Sequence, residues 1–349
     1  MNAPIRIGIL LAACVVVGSI FFLQKTRVPE PVLEGPLAVR EAFWKERVSV
    51  LGSRTAYDEF ASAVDPLSPA VRHNNAHAFG KALFAVEGVD GLSTCDDRFS
   101  YGCFHEFLGQ AISALGLGVV IDLNNGCFKT LTVSPLSCQH GIGHGILAFV
   151  GYNNTELLGA LEACRSLPGS DPIGGCYGGV FMEYNLQTML AEEGRLRPIQ
   201  DDVQAPCDSL EREYGPACYF WQPQWWHQLL LTQGVEGVDS RYARMGEWCG
   251  VTPQEYRRAC FEGIGNNLAP DADFNGVRAR GICEMVSENS LYQLYCKSYV
   301  ANSLAVGGAG ATGDALAVCE GLVGDVYTYC AAYAHNEANI ANQLSLSPL

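Results

Sequence analysis

The stretch Cys249-Gly-Val-Thr-Pro-Gln-Glu-Tyr-Arg-Arg-Ala-Cys260 holds the unit from which the chain is built. An apolar segment ends at Cys249, Thr252-Pro253 breaks it, and a second helical pattern starts before Cys260. Six more cysteine pairs have the same form: Cys95 with Cys103, Cys127 with Cys138, Cys164 with Cys176, Cys207 with Cys218, Cys283 with Cys296, and Cys319 with Cys330. The second members recur at intervals of 35, 38, 42, 42, 36 and 34 residues, which is the period of a repeat array. Fourteen of the 15 cysteines pair off without remainder, so disulfides and an oxidising compartment are expected.

Each second cysteine opens a similar segment. Gly102-Cys103-Phe-His-Glu, Cys138-Gln-His-Gly-Ile-Gly-His144, Cys176-Tyr-Gly-Gly and Cys260-Phe-Glu-Gly-Ile-Gly are examples. Strand alternation is nearly absent, so the chain is expected to be all-α. The predicted unit is helix, short connection, helix, with a disulfide closing the hairpin and contributing roughly 2–3 kcal/mol in the chain-entropy model. His73-Asn-Asn-Ala-His77 fits the same pattern without cysteine, preceded by a helix around Ala56 to Val64, making seven to eight units in all. Glycines recur in the second helices, which predicts that these helices pack closely side by side.

This layout resembles Sel1-like and tetratricopeptide-type repeats, some of whose secreted members carry paired cysteines that staple their hairpins. The resemblance is architectural and covers most of residues 41–345. Two geometries fit these units: an open solenoid, or an α/α ring closed on itself with the second helices inside.

At the N-terminus, Ile7 to Leu23 is an unbroken apolar run between Arg6 and Lys25. It reads as an uncleaved single-pass anchor, with a cleaved signal or a lipoprotein box at Leu11-Ala-Ala-Cys14 as the other readings. The expected organisation is a flank over 1–6, an anchor over 7–23, a linker over 24–40 and a helical-repeat ectodomain over 41–345. The cysteines place that ectodomain outside the cytoplasm. The formal net charge is −15, and beyond residue 27 it is −18, from 37 acids against 19 bases. A nucleic-acid partner is excluded by that balance, since such proteins present basic stripes.

Five of the seven histidines lie in the first three second-helix segments. His73 and His77 are four residues apart, as are His140 and His144, so each pair shares a helix face. His105 reads in the same register as His73 and His140. Together the five are candidate ligands for zinc, iron or copper, with Glu106 as an outer partner or proton-carrying general base. His105-Glu-Phe-Leu-Gly109 departs from the zinc-protease motif by ending in glycine. Further polar positions on the second helices (Glu183, Gln224, Glu262, Asn266, Asn302, His335, Asn336) could line a surface or form an amide ladder. Asp271, Asp273 and Asn275 match the first half of a calcium loop, although position twelve is Ile282. Gly308 to Gly313 matches a dinucleotide fingerprint by letter but follows no strand, so it reads as a turn.

The leading functional reading is a membrane-anchored protein that binds or scaffolds a protein or peptide partner through its repeat surface. The alternative is a metal-dependent enzyme, or a metal or haem carrier, built on the histidines.

Overall fold

The computed structural model describes residues 30–130, 135–168, 171, 173–186, 197–198, 202–307 and 312–337. The described residues are helical and contain no strand. The run Ile7 to Leu23 and residues 308–311 lie outside them. No described helix is long and apolar enough to cross a membrane.

Three helices open the fold: α1 (Leu37–Leu51), α2 (Ser53–Val64) and α3 (Pro69–Glu87). Gly52, at φ +80°, makes the break between α1 and α2. The first of these departs from expectation, because its start falls in the segment read as linker. Its reason for existing is Trp44, fully buried, with its ring 5.2 Å from Phe60 and 5.7 Å from Phe79.

The stapled units follow. Their second helices are α4 (Gly102–Leu115), α6 (Pro135–Val150), α8 (Cys176–Leu186), α9 (Gly215–Thr232), α11 (Gln254–Asp271), α13 (Ser290–Gly307) and α15 (Gly324–Ala334). Their first helices are α5 (Val120–Thr130), α7 (Asn154–Arg165), α10 (Val238–Val251), α12 (Gly276–Met285) and α14 (Thr312–Ala317). Side-chain caps start two of these: Asn153 and Glu156 form a reciprocal capping box on α7, and Asn275 accepts from Arg278 N–H on α12. In two units the first helix is replaced, by a 3₁₀ segment over Gly88–Thr94 and by turns over residues 202–209. The turns are held from within: Gln222 donates to the carbonyls of Val203 and Ala205 at 2.9 Å, and the Trp226 indole donates to Val203 at 2.6 Å.

All seven expected cysteine pairs are bonded. Cys95 is joined to Cys103, Cys127 to Cys138, Cys164 to Cys176, and Cys207 to Cys218. Cys249 is joined to Cys260, Cys283 to Cys296, and Cys319 to Cys330. Their Cα atoms lie 5.5–5.8 Å apart, within the ordinary span of a disulfide. Each staple joins the two halves of one hairpin. Cys218 stands in the first turns of α9 and ties it to the turns at Cys207; Cys330 does the same for α15 through Cys319. The second helices then pack in chain order, α3 on α4, α4 on α6, α6 on α8, and so on to α13 on α15. Side chains also reach past a neighbour. The Phe220 ring on α9 lies 5.2 Å from Tyr299 on α13, and Arg258 on α11 donates to the Tyr329 hydroxyl on α15 at 3.1 Å.

Glycine is what allows the helices to approach. A Cβ at Gly143 would sit 2.1 Å from the carbonyl oxygen of Cys176 on the next second helix. At Gly265 it would sit 2.2 Å from that of Cys296, and at Gly80 2.3 Å from that of Cys103. The same contact at three interfaces fixes the register of the cysteine-free unit. Gly80 is equivalent to Gly143 and Gly265, so the position of Cys138 and Cys260 is taken by Asn75. His77, and not His73, therefore occupies the position of His105 and His140. The expected register is corrected by one helical turn.

Opposite signs are expected for two glycine-to-alanine changes. Gly159 lies exposed in α7 with nothing near its missing Cβ, so Gly159→Ala should stabilise by about 0.5–1 kcal/mol through helix propensity. At Gly263 a Cβ would meet the Phe220 carbonyl oxygen at 1.9 Å, so Gly263→Ala should destabilise by about 1–3 kcal/mol despite the same propensity gain. Urea denaturation of the two variants checks this; equal effects would remove the close-approach argument. Replacing both Cys249 and Cys260 by alanine should cost roughly 2–4 kcal/mol with the helical circular dichroism spectrum retained.

Candidate metal centre

The five histidines gather along three neighbouring second helices, α3, α4 and α6. Ring centroids are 4.7 Å apart for His73–His77, 5.8 Å for His73–His105, 5.9 Å for His77–His105, 4.9 Å for His105–His144 and 4.8 Å for His140–His144. Small residues make room for them: a Cβ at Gly141 would lie 3.4 Å from the His105 ring.

The row divides into two parts. His73, His77 and His105 can each offer a ligand atom, all within 4.8 Å of one another, and they are the only such group of three among the described residues. The hydrogen bonds fix the tautomers of two of them. His73 Nδ1 lies 2.9 Å from the Phe99 carbonyl oxygen, which can only accept, so Nδ1 carries the proton. His77 Nδ1 lies 3.2 Å from Glu106 Oε2 and donates to that carboxylate. The two Nε2 atoms point inward and approach each other at 3.1 Å, close enough to share a proton or to ligate one cation. An ion with N ligands at 2.0–2.1 Å in tetrahedral geometry spaces two donors by about 3.3 Å. His105 completes the set; its Nδ1 is buried with no hydrogen-bond partner.

Glu106 is fully buried and both of its oxygens are used, one by His77 and one by Gln110 Nε2 at 2.8 Å. It orients the imidazole, and the free general base expected at this position is not what the geometry provides. His144 repeats the device one helix on, with Nδ1 3.0 Å from Glu183 Oε2, while Tyr152 donates to Glu183 Oε1 at 2.5 Å. His140 turns toward α8 instead, its Nε2 3.4 Å from Met182 Sδ.

Burial favours the neutral form of three of these imidazoles. It lowers the pKa of His73 to about 4, with the neighbouring His77 adding to the shift. It takes His105 and His140 well below the ordinary value, helped in both by His144. A folded-state pKa below the unfolded one means that the unfolded chain binds more protons in between. The metal-free protein should therefore lose stability as pH falls from about 6.5 to about 4, and His105→Gln should flatten that slope; urea midpoints measured across this range test it. A midpoint independent of pH in the unsubstituted protein would contradict neutral, buried imidazoles.

The other expected residues are dispersed. Asp271 pairs with His227 at 2.9 Å and accepts from the Tyr242 hydroxyl, Asp273 pairs with Arg278, and Asn275 caps α12. The three act as turn and cap residues, and no calcium cage is assembled from them. Glu262 pairs with Arg258 on α11, Asn302 donates to Asn336 Oδ1 and to the Tyr333 carbonyl, and His335 ends α15, so no continuous polar row forms. Gln224 is buried on α9, and Asn266 lines a cavity with Glu262.

Phe99, Gln110, Tyr152 and Met182 stand outside the sequence-based expectations. Phe99, Ser100 and Tyr101 run at φ +59°, +52° and +61°, a left-handed turn of three non-glycine residues costing of order 1–3 kcal/mol each. That turn presents the Phe99 carbonyl to His73. No sequence pattern announces it. A scan of family models finds no match for the chain, and searches of curated proteins and of solved structures find none either.

Proposed function

We propose that this chain is a membrane-anchored, extracytoplasmic helical solenoid that holds a divalent transition metal through His73, His77 and His105. The observation that carries it is the convergence of two tautomer-fixed Nε2 atoms at 3.1 Å. Imidazole donors suit zinc, copper, iron and nickel. Glu106 is the outer partner that orients His77 and makes it a better donor. Because both Glu106 oxygens are engaged, tight holding of the ion fits better than a hydrolytic cycle that needs a free carboxylate base. Three ligands leave a coordination position for water or for a group offered by a partner.

The solenoid is favoured over the ring because, among the described residues, α15 packs on α13 and α14 and makes no comparable contact with α1, α2 or α3. The anchor rests on the apolar run Ile7 to Leu23, and the compartment rests on the seven staples. A second reading, binding of a protein or peptide, is favoured by a cavity of about 580 Å³ lined by Phe220, Trp221, Tyr299, Tyr333, Arg258 and Glu262. Aromatic and arginine side chains are the usual anchors of such contacts.

Metal analysis and zinc titration of the full chain decide the main reading. One tightly bound equivalent is expected, lost in the double variant His73→Ala/His77→Ala. Glu106→Gln should keep the ion but weaken it by about 10–100-fold. A full chain that binds no zinc and has the same stability with and without chelator would refute it.

A further inference from the structure

We infer a second metal site of different chemistry, formed by His140 on α6 and Met182 on α8 beneath the ring of Trp221 on α9, selective for monovalent copper. This inference goes beyond the three-histidine site and uses none of its ligands.

The donor set is the first argument. His140 Nε2 and Met182 Sδ face each other at 3.4 Å. A metal with M–N near 2.0 Å and M–S near 2.3 Å spaces such donors by about 3.5–3.8 Å between tetrahedral and trigonal angles. Closing on an ion therefore needs shifts of a few tenths of an ångström, which an unbranched thioether side chain accommodates. Imidazole with thioether is a soft pair. Zinc gains little from a neutral sulfur, whereas Cu(I) prefers thioether and thiolate and accepts low coordination numbers.

The surroundings are the second argument. The Trp221 ring centroid lies 5.4 Å from that of His140, with the planes 47° apart. An aromatic face at that position attracts a monovalent cation and shields it from water. Trp221 is itself fixed, being nearly buried with its indole N–H directed at the Ile173 carbonyl. A Cβ at Gly179, one turn before Met182 on α8, would lie 1.9 Å from the His140 carbonyl oxygen. Only glycine there lets α8 come close enough to bring Met182 to the imidazole.

The ion-bound and ion-free states are separable by titration. Cu(I), supplied anaerobically as its acetonitrile complex in competition with a chromogenic chelator, should bind the full chain and quench tryptophan fluorescence. Met182→Leu conserves volume and removes the sulfur; it should weaken Cu(I) by about a hundredfold or more while zinc binding at the first site stays unchanged. Trp221→Phe should remove the fluorescence response and leave most of the affinity. Ag(I), which cannot change oxidation state here, should reproduce the Cu(I) result. The inference is overturned if Met182→Leu binds Cu(I) as the unsubstituted chain does. It is equally overturned if tight Cu(I) disappears in His73→Ala/His77→Ala and persists in Met182→Leu, since the ion would then sit in the first site. An unsubstituted chain that binds Cu(I) but no zinc would instead count against the three-histidine reading alone.

Discussion

Where Gly143 meets the carbonyl oxygen of Cys176, two helix backbones touch with no side chain between them. Three interfaces, at Gly80, Gly143 and Gly265, place a glycine of one second helix against the cysteine-bearing turn of the next. The staple acts on that same turn, because Cys103, Cys176 and Cys296 are themselves the second cysteines of their units. A disulfide thus fixes the height of the turn, and the glycine contact fixes how near the neighbouring helix can come. Together they set the spacing of the side chains that project from these helices. At ordinary helix separations of about 8–10 Å, imidazoles from adjacent helices would meet only at full stretch. The closer approach lets rings on α3, α4 and α6 crowd together at 4.7–5.9 Å.

The crowding has an electrostatic consequence. Rings this close cannot all be charged, and burial already opposes their protonation. Protons pinned on Nδ1 then leave the Nε2 atoms of His73 and His77 facing inward. Glu106 and the Phe99 carbonyl do the pinning for His77 and His73. The outer edges of these two rings are satisfied by protein acceptors, and their inner edges are turned toward each other.

Much of this was legible in the residue order, for definite reasons. Cysteine spacing encodes the hairpin because a staple needs its two ends within one turn–helix unit, and all seven pairs follow that rule, down to the last at Cys319 and Cys330. Histidines four apart share a face on any helix, so both pairs were visible. The register of the cysteine-free unit was misread because His73 and His77 fit a three-residue pattern equally well, and only the backbone contact at Gly80 separates them. The role of Glu106 was left open between base and orienter, since its partners come from other turns. Phe99 and Met182 were invisible: a carbonyl has no letter of its own, and a lone methionine on a helix reads as core filling. The calcium pattern matched in letters, but Asp271, Asp273 and Asn275 have partners of their own.

The staples also shape the response of the chain to mechanical load. Each one closes 8 to 13 residues into a covalent loop, so that length cannot extend when the molecule is stretched. Nothing covalent other than the backbone links one unit to the next. Under tension the array should part between repeats, one interface at a time, and each released hairpin should remain a compact bead. Extension would then arrive in short, nearly equal steps set by the unit length and reduced by the closed loop. Reduction of the disulfides would lengthen every step by about 3.3–3.6 Å for each residue released.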